Sequence, residues 1–138
     1  MNLANYDLPE SYRTYMADRD PAVDAYYTFR ERKRPLKDAR TYCLWSLRTL
    51  EEKQPSIRTP YYQTYWNKKQ QAKHLENKEA FAFGHATDGE GVLFFQPGNN
   101  DVWEIEPNNN ARLLAATFEA FIERAAFDRE VDLRNFFF

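Results

Sequence analysis

Residues 80–127 read AFAFGHATDGEGVLFFQPGNNDVWEI, then EPNNN, then ARLLAATFEAFIERAAF. Three short apolar runs with two turns are followed by one amphipathic stretch. Phe81 and Phe83 share one side and Ala82 takes the other, the period of two that marks a strand. Asp88-Gly89 and Pro97-Gly98-Asn99 supply turns on both sides of Val92-Leu93-Phe94-Phe95. All four glycines of the chain, Gly84, Gly89, Gly91 and Gly98, fall in this stretch. Glycine adopts positive φ at low steric cost, so hairpins form where it clusters. Val102 to Glu106 alternates again, which predicts Trp103 and Ile105 inward and Glu104 and Glu106 outward. Pro107 and Asn108, Asn109 and Asn110 break the sheet and offer N-caps. Leu114, Phe118, Phe121, Ile122 and Ala125 then recur at helical spacing, predicting a closing helix. The fold class is therefore α+β: an antiparallel meander packed against this helix and against helices from the N-terminal half.

Upstream, a first helix is predicted from Leu8-Pro9, since proline suits the first helical position. Leu8, Tyr12, Tyr15 and Met16 form its apolar stripe. Asp20-Pro21 repeats the start signal, and Val23, Tyr26, Tyr27 and Arg30 predict a second helix ending before Pro35. Thr41 to Leu47 is short, aromatic and apolar, hence a strand. Ser46 can cap a brief helical turn through Leu50 and Glu51 that Gln54-Pro55 ends. Thr59-Pro60 opens another helix, with Tyr61, Tyr62, Tyr65 and Trp66 ahead of Lys68, Lys69 and Lys73. The segment Arg129 to Phe138 is a tail. Its three terminal rings are expected to pack as an edge segment or to make an oligomer contact.

With 138 residues the chain fits one domain, residues 1–138, with no linker or repeat. Its residues are 43% hydrophobic and 17% aromatic, enough to build a core without staples. No apolar run is long enough for a membrane helix. MNLANYDLPESY lacks a basic n-region and an apolar h-region, so no secretory signal is expected. A single cysteine, Cys43, excludes an internal disulfide. The expected location is cytoplasmic. Residues 1–75 carry 14 basic and 9 acidic side chains, a balance of +5, while residues 76–138 carry 5 and 12, a balance of −7. Such halves can steer charged partners, or be solvated faces of one domain.

Chemistry is sparse. Cys43, His74 and His85 form no metal-ligand motif, and no metal or cofactor is expected. Cys43 as nucleophile with His85 as base is conceivable, but a thiol inside an apolar strand is normally inert. Gly84 to Gly91 lacks the lysine and the following helix of a phosphate loop. Asp88 and Glu90 could act as acid and base, yet nothing nearby supplies a third catalytic group. EF-hand spacing is absent. The run Arg30, Arg32, Lys33, Arg34, Lys37, Arg40 reads either as a phosphate-binding patch or as a solvated helix end. The Tyr/Trp/Lys segment 60–73 reads either as a base-stacking surface or as a core-facing stripe. A nucleic-acid-binding protein using these two segments is the alternative function.

The motif order resembles the SUKH superfamily of small α+β domains. Leu8-Pro9-Glu10-Ser11-Tyr12 is similar to its "LP-x-x-Y" helix start. Leu44 to Leu50 is similar to its strand and following helical turn. Phe81-Ala82-Phe83-Gly84 with Asp88-Gly89-Glu90-Gly91 is similar to its "F-x-F-G…D-G-x-G". Val102 to Ile105 and Ala115 to Ile122 are similar to its "V-W/Y-x-I" strand and its closing helix. The family's Asn-Gly-Gly turn after the first helix is missing. The resemblance implies a non-enzymatic binder, often a bacterial immunity protein that neutralises a nuclease or deaminase toxin domain. Acidic inhibitors reach basic nuclease sites by electrostatic steering. By charge and position, Asp88, Glu90, Asp101, Glu104 and Glu106 are the expected partner contacts, with surface Tyr and Trp as anchors.

Overall fold

The structure is a computed structural model that describes residues 2–29, 40–57, 81–87, 91–96, 98–105 and 112–136. A 3-10 turn over Leu3–Asn5 leads to helix α1, Glu10–Ala17. Strands β1 (Val23–Phe29) and β2 (Arg40–Leu44) precede helix α2, Leu47–Ile57. Strands β3 (Phe81–Ala86), β4 (Val92–Phe95), β5 (Val102–Ile105) and β6 (Arg112–Ala115) follow. Helix α3 (Phe118–Arg124), strand β7 (Ala125–Asp132) and a 3-10 turn over Leu133–Phe136 complete the order. Among the described residues the strands form one seven-stranded sheet, β6-β5-β4-β3-β2-β1-β7. Every neighbouring pair is antiparallel. The α+β meander expected from residues 81–105 is present, and β7 returns to pair with β1 at the far edge.

Aromatic side chains build the core between the sheet and helices α1 and α3. Phe81 and Phe95 are direct cross-strand partners. Phe83 stacks on Phe95 with ring centroids 4.1 Å apart. Tyr12 of α1 meets Phe95 and Phe118 edge-on, at 5.1 and 5.2 Å. Phe121 of α3 stacks on Phe29 at 4.9 Å. Offset and edge contacts of this kind add about 0.5–1.5 kcal/mol per pair beyond burial. Leu8, Tyr12 and Met16 are buried, as the α1 stripe predicts. Helix α2 covers the other face of the sheet: the buried Gln54 donates from Nε2 to the carbonyl of Ala82 in β3. Its start is capped as expected, with Thr49 N donating to Ser46 Oγ at 3.3 Å.

Four expectations are corrected. Val23 to Arg30 is not a second helix; Val23–Phe29 is the strand β1. Asp20-Pro21 starts a turn instead, in which Asp20 Oδ1 accepts from Ala22 N at 3.0 Å. Ala25, Tyr27 and Phe29 then point to one buried side at strand spacing. Next, α2 does not stop at Gln54-Pro55 but carries Pro55 in its last turn. The Gln54 bond to β3 holds that turn. Third, Leu114 belongs to β6, and α3 begins only at Phe118. Its N-cap is Thr117, whose side chain accepts from Ala120 N at 3.0 Å. Fourth, Ala125 opens β7, an edge strand that takes up the first part of the expected tail. The expected helix from Thr59, His74 and nearly all of the basic run lie outside the described residues.

Candidate functional site

The orientation expected of β5 holds for Ile105, which is buried, and fails for Glu104. Glu104 is only 1% exposed, while Trp103 is partly exposed. The sheet is covered on both faces, so alternation alone does not say which side meets water. Glu104 pairs with Leu93 across β4 and β5, which puts it on the face under α1 and α3. Its charge is met from two other strands. Tyr42 Oη of β2 donates to Oε1 at 2.8 Å. Arg112 of β6 donates to Oε1 from Nε and Nη2, at 3.2 and 3.1 Å. Arg40, the first residue of β2, brings Nη1 to 3.2 Å from Oε2. Burial pushes the Glu104 carboxyl above its ordinary value, against the opposing pull of Tyr42, Arg40 and Arg112. Gly91 closes the site from a third side. A Cβ there would collide with Glu104 Oε2, so only glycine leaves room for the carboxylate.

The other expected contacts are not gathered with Glu104. Asp101 is half-buried and precedes β5, at the end of the sheet opposite Ile105. Asp88, Glu90 and Glu106 lie outside the described residues. Of the basic run only Arg40 is described, and its guanidinium is engaged by Glu104 inside the domain.

Cys43 and His85 are brought together, as sequence spacing did not suggest. They are direct cross-strand partners of β2 and β3. Their electrostatics do not suit nucleophilic catalysis. Burial, reinforced by Asp24, pushes the Cys43 thiol up to about 12, so no thiolate forms near neutrality. His85 Nδ1 accepts a hydrogen bond from Trp45 Nε1 at 2.7 Å. Burial, then Lys53, lowers its pKa, which keeps the imidazole neutral. Among the described residues no cluster of His, Cys, Asp and Glu could hold a metal ion. No described helix is long and apolar enough to cross a membrane. A groove of about 410 Å³, lined in part by Leu3, Met16, Ala17, Pro21 and Leu47, opens between the N-terminal turn, α1 and the start of α2. No sequence motif marks it, because it exists only once three separate segments pack.

The sequence profile of the SMI1/KNR4 family (SUKH-1) matches residues 2–124. The chain belongs to the SMI1/KNR4 family. Comparison with curated proteins and with solved structures finds no match. Several of the motif residues can now be placed, and they lie in the core. Leu8 and Tyr12 anchor α1. A Cβ on Gly84 would stand 2.6 Å from the carbonyl oxygen of Cys43. Gly91 admits Glu104, and Phe118 and Phe121 are buried. In this SUKH-1 chain the motif residues among the described ones therefore serve the fold.

Proposed function

We propose that this SUKH-1 chain is a non-enzymatic protein-binding module, an immunity protein that binds and neutralises a bacterial toxin domain in the cytoplasm. The observation that carries the reading is the family match across residues 2–124. The neutral pair of buried Cys43 and half-buried His85 supports a binder over a thiol enzyme. A nuclease toxin presents a basic active site, and the −7 balance of residues 76–138 complements it. Asp88, Glu90, Asp101 and Glu106 are the proposed contact carboxylates. Glu104 leaves that set, because its charge is consumed inside the domain.

The test starts from the neighbouring reading frames. A toxin domain encoded beside this gene is expressed with and without the chain. Growth is expected to be rescued only when both are present, with a complex that co-elutes in size exclusion. Unrelieved toxicity with no co-elution sinks the proposal. Replacing Asp101 by Lys is expected to slow association, more at low salt than at high salt.

A further inference from the structure

Among the described residues, β7 is an edge of the sheet and pairs only with β1. Ala126 to Glu130 are exposed along it. Phe127 stands in the middle at 59% exposure, with its ring edge-on to Tyr27. A bare edge with an apolar ring at its centre is a template for another strand, and charged residues usually guard such an edge. Here the two residues after Phe127, Asp128 and Arg129, are exposed and opposite in sign. The pairing with β1 also slips by one residue: Tyr27 faces Phe127 but Tyr26 faces Arg129, which leaves Asp128 as the extra residue of a bulge. In a regular strand, residues an odd number apart lie on opposite faces. The bulge changes that. Phe127 and Glu130 stand opposite Tyr27 and Ala25, which share the buried side of β1, while Ala126 and Val131 stand opposite Thr28 and Asp24 on the other side.

We propose that β7 pairs with β7 of a second copy of this chain, antiparallel about a two-fold axis between Asp128 and Arg129, so that the two sheets join into one. In this register Phe127 meets Glu130 of the second copy and Ala126 meets Val131, and the bulge makes the faces match in both pairs. Asp128 meets Arg129 of the second copy, and the symmetry repeats that contact. A slip of one residue either way sets Asp128 against Asp128 or Arg129 against Arg129, and like charges directly opposite each other are destabilising. Charge therefore selects the register that the bulge permits. The contact uses the same surface on both copies, so it closes at the dimer and does not propagate into a fibre. Asp101 precedes β5, and four strands lie between β5 and β7, so this contact leaves Asp101 open to a toxin. The inference does not depend on the toxin-binding reading.

The experiment is analytical ultracentrifugation of the full chain over a concentration series, in the absence of any partner. A monomer–dimer equilibrium is expected. Arg129→Asp sets carboxylate against carboxylate at both symmetric contacts and is expected to raise the dissociation constant at least about tenfold. Asp128→Arg is expected to do the same with guanidinium against guanidinium. The double variant Asp128→Arg with Arg129→Asp remakes both pairs with their signs exchanged, and is expected to bring the constant back to within about threefold of the parent. That rescue separates pairing from stability, because the double variant still lacks the Arg129 guanidinium that lies over the Tyr26 ring. Urea unfolding confirms that each variant folds. If Arg129→Asp does not, Asp128→Arg and the double variant carry the same comparison. A chain that stays monomeric up to its solubility limit overturns the proposal. So does a dimer that neither single variant weakens, and so does a double variant that associates no better than the singles.

Discussion

Cys43 and His85 sit directly opposite each other on β2 and β3, yet both are held in their neutral forms. The thiol is pushed up to about 12 by burial. It is therefore expected to resist alkylation by iodoacetamide at pH 8 in the native protein, and to react fully once unfolded in guanidinium. Labelling is followed by mass spectrometry. Reaction of the folded protein at the rate of a free thiol would show that the barrier seen in the structure is absent.

His85 makes a pH prediction through Trp45. Trp45 donates its indole proton to Nδ1, so that nitrogen must be bare in the folded state. The folded pKa is lowered from its ordinary 6.5 by burial and then by Lys53, with Asp24 opposing. Below 6.5 the unfolded chain takes up a proton that the folded one refuses, so the unfolded state binds more protons and stability rises with pH there. The contribution is complete above 6.5 and is lost as pH falls through the lowered value. Urea midpoints are expected to decline as pH drops below 6.5, and His85→Gln to flatten that decline. An unchanged slope in His85→Gln sinks the assignment.

The meander was legible because β3, β4 and β5 are bounded by glycine and proline turns, signals that act within a few residues. The strand β1 was misread because Val23, Tyr26 and Tyr27 fit a helical spacing, while Val23, Ala25, Tyr27 and Phe29 fit a strand spacing just as well. What decides is pairing with Cys43 and Arg129, which is remote in sequence. The strand β6 was absorbed into the closing helix for the same reason: Arg112-Leu113-Leu114-Ala115 is helix-prone by itself, and Trp103 draws it into the sheet. At the candidate site, Glu104 looked like a surface residue since a charge in an alternating strand usually faces water. One local clue pointed inward. Gly91 lies beyond the needs of the Asp88-Gly89 turn, and a glycine without a turn to explain it marks a close approach.

Gly91 itself is expected to be intolerant. Alanine there drives Cβ into the Glu104 carboxylate. Overpacking of this kind costs about 1–3 kcal/mol. Glu104→Asp shortens the acid by one methylene and makes room. The double variant Gly91→Ala with Glu104→Asp is expected to be more stable than the sum of the single changes, read by urea unfolding as a coupling of at least about 1 kcal/mol. Strict additivity would mean that the two residues do not meet.

Asp24 was not singled out by any motif, yet it joins β1 to the start of α2. Its Oδ1 accepts from Ser46 N at 2.8 Å and from Thr49 Oγ1 at 2.9 Å, and the residue is buried. Asp24→Ala leaves both donors without that acceptor. Hydrogen bonds to a charged group contribute about 1.5–3 kcal/mol each, so a loss of about 3–6 kcal/mol is expected in urea unfolding. Asp24→Asn keeps one acceptor oxygen and is expected to lose less. Equal losses in the two variants would show that the single acceptor oxygen left by Asn holds neither donor.

Tyr12 tests the core in the opposite direction. Its ring lies against Phe81, Phe83, Phe95 and Phe118, and it is 1% exposed. The hydroxyl is buried with no hydrogen-bond partner among the described residues, and burial raises its pKa well above the usual phenol range. Leaving a buried hydroxyl unmatched costs about 1–3 kcal/mol, which removal of the oxygen recovers in part against the small void it leaves. Tyr12→Phe is therefore expected to raise the urea midpoint or leave it unchanged, with no change in the m-value. Tyr12→Ala removes the ring and is expected to cost about 3–5 kcal/mol. A loss above about 1 kcal/mol in Tyr12→Phe would mean that the hydroxyl is bonded, and that the centre of the α1–α3 core is polar rather than purely aromatic.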